Sequence, residues 1–203
     1  ILALDDVHDG QGRVMAGAGT LYVPNDYVLD LAARHPEFLP AVSIHPARPD
    51  ALDELDRCLA RGAVLLKLLP SGQNIDCSDK RYTKFWEKMA AAKLPLLAHT
   101  GHEFTVKVID RKLADPELLE LPLACGVTVI AAHSATDAGV LATDYFPAFA
   151  RMLKRHRNLY GDTSAFNMPL NSRGFTLCTD PAIIGRMVHG SDFPVMCHGH
   201  WAW

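Results

Sequence analysis

Apolar runs that end in an ionisable residue recur along this chain: LLKLLP around Lys67, LLAHTG around His99, VIAAHSA around His133 and HGSDFP around Asp192. Each is followed by loop and helical sequence. His99 and His133 are 34 residues apart, and His133 and Asp192 are 59 apart. A βα unit takes about 30 residues or a little more, so these gaps correspond to one unit and two. Residues at the carboxyl ends of successive parallel strands converge on one face of a barrel. The pattern predicts an α/β fold with a metal-dependent site at the strand ends.

Apolar runs and helical periodicity alternate along the whole chain. Strands are expected to end near residues 6, 45, 69, 99, 133, 162 and 192, with helices over 25–33, 50–61, 79–93, 116–125, 145–155 and 181–186. Asn25 is the expected cap of the first helix, and Pro122 is expected to kink the fourth. Residues 9–22, 72–79 and 165–179 read as loops, the last two as those that shape the substrate site. No G-x-G-x-x-G turn follows the first strand, which argues against a doubly wound open sheet. The expected architecture is a (β/α)8 TIM barrel in one domain, residues 1–203. Strand one and the C-terminal end of the barrel are missing from the stretch present.

At 203 residues the chain is shorter than the about 250 usual for such a barrel. It opens on Ile1, already inside an apolar run, so a strand is expected upstream. A net charge of −3 and a pI near 6.4 give no footprint for nucleic acid or an anionic membrane. No apolar run reaches membrane-spanning length. The five cysteines, Cys58, Cys77, Cys125, Cys178 and Cys197, form no C-x-x-C pair. Reduced thiols in a cytoplasmic protein are the expectation. G-x-S-x-G, G-K-[ST] and H-E-x-x-H are all absent, which weakens serine-hydrolase, nucleotide-hydrolase and zincin readings.

His99, on a rigid strand end, suits a divalent ion as a neutral imidazole; taken alone it could equally be a hydrogen-bonded core histidine. His133, one unit later, is a second nitrogen ligand, or a base and oxyanion contact. Asp192 can bind a metal and take a proton from water, or merely stabilise the turn before Pro194. Lys67, inside an apolar strand, must find a partner or lose its charge. It is a carbamylated bridging ligand, an ion-pair partner of Asp192, or a lysine reaching the barrel mouth. His102 can touch substrate or simply be exposed, and Asp162 can support the ligands from behind. Cys197, His198 and His200 spell a metal cluster, but one with no strand to support it, and are set aside.

With those residues placed, the chain resembles the amidohydrolase-related family of metal-dependent TIM-barrel enzymes over about residues 3–194. The likeness lies in PNDY at 24–27, SIHP at 43–46, LKLLP at 66–70, HTG at 99–101, AHS at 132–134 and HGSDFP at 189–194. It implies that His99 binds the metal, that His133 is a second ligand or a catalytic group, and that Asp192 is ligand and general base. It also implies a His-x-His or Glu-x-His pair on strand one, which does not occur before Asp5. The implied cofactor is a divalent ion, zinc first, with manganese or iron as alternatives. The implied reaction is hydrolysis of a small amide, lactone or other ester. Decarboxylation of an aromatic or unsaturated acid is the alternative, and a metal-depleted binding or scaffold protein the non-enzyme one. The expected partner is a small-molecule substrate, with a homodimer as a further expectation.

Overall fold

The computed structural model describes residues 1–136, 143–168 and 172–194. Six parallel strands form one sheet in sequence order: β1 (Ala41–Val42), β2 (Leu65–Leu68), β3 (Leu96–His99), β4 (Val129–Ala132), β5 (Leu159–Asp162) and β6 (Met187–Val188). The N-terminal segment continues the sheet beside β1 through a parallel bridge between Leu2 and Ala41. It is therefore the expected first strand, shortened to a single bridge. Helices follow the strands: α1 (Asn25–Arg34) precedes β1, and α2 (Ala51–Ala60) links β1 to β2. The short α3 (Pro70–Gln73) and α4 (Thr83–Ala91) lead to β3, and α5 (Glu120–Ala124) leads to β4. Next, α6 (Phe146–Arg155) precedes β5, and α7 (Arg173–Cys178) precedes β6. Unbroken parallel pairing with a helix in each crossover is part of a (β/α)8 barrel.

Register decides which residues face where. Leu66, Leu96, Val129 and Leu159 stand side by side across four strands and are fully buried. They pack with Leu55 of α2, Trp86 and Met89 of α4, Leu123 of α5, and Phe149 and Met152 of α6. The next residue on each strand (Lys67, Leu97, Ile130, Tyr160) forms a second row on the opposite face, and this row is only partly buried. Side chains alternate along a strand, so His99 falls on the face of Lys67 and Leu97.

Several local expectations change. Pro24, not Asn25, occupies the cap position of α1. The buried Asn25 side chain instead accepts from Ser43 N (2.8 Å) and donates to Glu54 Oε1 (2.7 Å), tying α1 to the end of β1 and to α2. Pro122 produces no kink, because a 3-10 turn at Pro116–Leu119 leads into α5 and leaves the proline in the first turn of the helix. The loop expected over 165–179 contains α7. Gly174 hid this helix: it is a poor helix former, yet a Cβ there would lie 2.5 Å from the Phe166 ring, so close packing requires glycine. The loop expected from Gly72 begins inside α3, where Gln73 is buried and donates to Asp5 O and Ser43 Oγ at 3.1 and 3.2 Å.

His45, three residues past β1, is fully buried. Its Nε2–H donates to Gln73 O (3.0 Å), and Nδ1 accepts from Ala47 N (3.1 Å). Protonation would set a second proton against that N–H. Burial, aided by His8, lowers the pKa from 6.5 to about 4. The unfolded chain then binds the extra proton first, so stability is lost as pH falls from about 6.5 towards about 4. In urea titrations at pH 7 and pH 5 the wild type should lose about 2 kcal/mol more than His45→Gln. Equal losses in the two proteins would show that His45 is not the group responsible.

Candidate active site

The partly buried face of the sheet opens on a cavity of about 210 Å³. Lys67, His99, His102, Glu103, His133 and Asp192 supply its titratable lining, and Leu4, Leu21, Val23, Leu69, Val106 and Met168 much of its apolar wall. Phe104 and Leu21 stand at its rim, 65% and 52% exposed.

His99 ends β3, and His133 follows β4 directly. Their rings meet edge to face with centroids 4.7 Å apart, and His99 Nδ1 lies 3.1 Å from His133 Nε2. The far nitrogens fix the tautomers, because a carbonyl can only accept. His99 Nε2 donates to His102 O (3.3 Å), and His133 Nδ1 donates to Ser164 O (3.1 Å) and Ser164 Oγ (2.9 Å). The far nitrogens thus carry N–H, and the two near nitrogens face each other across 3.1 Å. Burial holds His99 well below the usual imidazole range, and His133 and Lys67 push in the same direction.

The turn that carries His133 is held from β5. Asp162 Oδ1 accepts from His133 N (2.7 Å), Ser164 N (3.1 Å) and Ser164 Oγ, while its backbone oxygen accepts from Ser134 Oγ (2.7 Å). His133, Ser134 and Ala135 all have positive φ, at 62°, 51° and 51°. Three such non-glycine residues in succession cost energy that the surrounding contacts must offset. Thr100 contributes by donating to Ala132 O (2.7 Å) and accepting from Ala135 N (3.1 Å).

Lys67 projects from β2 and is partly accessible through the cavity. Burial lowers its pKa, whereas the carboxylates of Asp162, Asp192 and Glu103 favour its charge. Asp192 follows β6 with φ 60° and lines the same cavity. His102 lines it too, and its Nε2 accepts from Thr143 N at 3.0 Å.

Sequence reasoning missed Glu103 and Ser164. Glu103 lies four residues past His99, in a stretch without strand or helix periodicity, and its side chain is only 5% exposed. Ser164 stands two residues past Asp162, and nothing in its spacing marks it. Residues 72–79 do not line the cavity; residues 102–106 take that place, together with Ala165 and Met168. Cys197, His198 and His200 lie outside the described residues. Cys58, Cys77, Cys125 and Cys178 are free thiols, and burial pushes Cys58 and Cys77 up to about 12.

The donors suit a divalent cation in two respects. Nitrogens sharing one zinc ion at about 2.0–2.1 Å stand roughly 2.9–3.4 Å apart, which brackets the 3.1 Å between His99 and His133. The formal charge of the three carboxylates around Lys67 also exceeds that of the lysine by two. Among the described residues, however, no group of three or more His, Cys, Asp or Glu side chains is arranged to enclose an ion as it stands.

Fold and lining together define an α/β-barrel protein with imidazoles and carboxylates gathered at the strand ends. A sequence model of the amidohydrolase family matches residues 2–202, and the chain belongs to that family. No curated relative matches the sequence at a significant level. Among solved structures, an uncharacterised TIM-barrel protein from Bordetella bronchiseptica superposes with a TM-score of 0.70 at 19% identity, over 95% of this chain and 65% of that one. A Pseudomonas putida protein described as a 2-pyrone-4,6-dicarboxylic acid hydrolase gives 0.61 at 16% identity, over 86% and 64%. The 2,6-dihydroxybenzoate decarboxylase from Rhizobium gives 0.55 at 16% identity, over 84% and 65%. At these identities the likeness is one of fold, and the chain spans about 65% of the length of the first of these structures. No helix among the described residues is long and apolar enough to cross a membrane.

Gly161 allows the site to close. A Cβ there would lie 2.5 Å from Ser134 Oγ and 2.6 Å from Phe149 Cζ. Gly161→Ala should therefore destabilise the protein by about 1–3 kcal/mol, measured by urea unfolding. Unchanged stability would mean that the turn carrying His133 yields freely.

Proposed function

We propose that this protein is a metal-dependent hydrolase of a small organic substrate, an amide, lactone or other ester. The approach of His99 Nδ1 to His133 Nε2, 3.1 Å apart on the cavity wall, is the observation that carries this reading. These two residues would hold the ion, with zinc the first choice and manganese or iron the alternatives. When bound, such an ion supplies Lewis acidity and lowers the pKa of water. Asp192, opening on the same cavity, accepts the proton of the attacking water or joins the ligand set. The Asp162–Ser164 contacts keep His133 in the tautomer that leaves Nε2 free. Lys67 offers positive charge to a substrate oxygen, and the apolar wall admits a compact carbon skeleton while excluding water.

Lys67 also motivates a second reading. An ammonium bordered by apolar surface suits a substrate carboxylate, as a decarboxylase of an aromatic or unsaturated acid requires. The two reactions separate by product. Release of acid from lactones and esters, followed by pH-stat, supports hydrolysis; carbon dioxide released from ring-bearing acids supports the second reading.

Asp192→Asn should reduce either turnover by at least about 100-fold, the scale of a lost general base. Its circular dichroism and unfolding midpoint should stay near wild type. Retained activity would remove Asp192 from the chemistry. If wild-type protein binds less than half an equivalent of transition metal, and gains no activity on adding zinc or manganese, the metal-dependent reading fails.

A further inference from the structure

We infer that His102 is a positioning residue for His99: its backbone carbonyl, held in place through its own ring, decides which imidazole nitrogen of His99 faces the cavity. Its meaning for catalysis rests on the metal-dependent reading above. The contact also ties the loop after β3 to the segment that leads into α6.

A neutral imidazole has one proton for two nitrogens. On its far side, His99 Nε2 meets a single acceptor, His102 O at 3.3 Å. On the cavity side, Nδ1 meets two: His133 Nε2 at 3.1 Å and Glu103 Oε2 at 3.5 Å. A carboxylate is the stronger acceptor, although 3.5 Å is long for a hydrogen bond. The proton therefore stays on Nε2 only while the His102 carbonyl keeps its place. With the proton on Nδ1 instead, the nitrogen offered to the cavity would be capped, and His102 O would face a bare Nε2.

That carbonyl lies outside any helix or strand, so its place depends on what surrounds it. Gly101, with φ 81°, turns the chain back on His99, and its N–H donates to Ala114 O (3.0 Å). The His102 ring supplies the other anchor. Its Nε2 accepts from Thr143 N at 3.0 Å, a contact that spans 41 residues. The rings of Phe104 and Tyr145 lie beside it, with centroids 6.2 and 6.4 Å away. The route thus runs from Thr143 N–H to the His102 ring, and from the His102 carbonyl to His99 Nε2–H. It does for His99 what Ser164 does for His133.

The test is the tautomer of His99, read by NMR from the imidazole nitrogen shifts of the purified, isotopically labelled chain at about pH 7.5, above the ordinary imidazole range. The signals are assigned by their loss in His99→Gln. Wild type should show Nε2–H and a bare Nδ1. His102→Ala removes the acceptor of Thr143 N and should raise the ratio of Nδ1–H to Nε2–H severalfold, to a limit of about 10-fold, the scale of one hydrogen bond. His102→Gln keeps a side-chain acceptor at similar reach and should return His99 to Nε2–H. If His102→Ala does not fold, Thr143→Pro deletes the donor while keeping His102 and provides an independent reading. A folded His102→Ala or Thr143→Pro in which His99 stays wholly Nε2–H overturns the role of His102 and leaves the metal-dependent reading in place. Nδ1–H in the wild type overturns it as well. The shifts need neither bound metal nor turnover, so failure of the metal-dependent reading shows separately, as a wild-type chain that binds no metal.

Discussion

The row formed by Leu66, Leu96, Val129 and Leu159 fixes everything else in this molecule. Four buried residues in register on adjacent parallel strands give α2, α4, α5 and α6 a continuous apolar face to pack on. A shift of one residue in any strand would move its whole set of side chains to the other face. Leucine and valine would then line the cavity, and Lys67 or His99 would be driven under a helix. The cost of burying a charged or unpartnered polar group there selects the observed register. Thus the hydrophobic effect, which carries no chemical information about a substrate, decides which residues meet in the cavity.

This explains what the sequence disclosed. Strand ends carrying Lys67, His99, His133 and Asp192 were legible because an apolar run ending in an ionisable residue is a pattern along the chain. The barrel-type alternation and the cavity face of Lys67 and His99 follow from the same pattern. Glu103 was not legible, because its position depends on how residues 102–106 fold back over the cavity, and no periodicity records that. Asn25 misled for a related reason. An asparagine before a helical run reads as a cap, but its amide is used across three elements that only the tertiary structure brings together. Gly174 concealed a helix because the close approach of Phe166 outweighs the poor intrinsic propensity of glycine.

Within the cavity, charge and hydrogen bonding point the same way. Lys67 offsets only part of the negative charge of Asp162, Asp192 and Glu103, and burial opposes even that charge. The far N–H groups of His99 and His133 are spent on the carbonyl oxygens of His102 and Ser164. An arrangement with more carboxylates than ammonium groups calls for added positive charge. The positive charge it calls for is the common thread of the hydrolase and decarboxylase readings, which differ in what the apolar wall would hold.

The Asp162 hub also bears on how such a site can change over time. One carboxylate oxygen holds the backbone of His133 together with the amide and hydroxyl of Ser164, and that hydroxyl in turn receives His133 Nδ1–H. Replacing any one of the three leaves the other two with unmatched donors or acceptors. Asp162, His133 and Ser164 therefore form an inheritance unit: a lineage can remodel the wall around residues 102–106 one substitution at a time, whereas this trio must be kept or abandoned together.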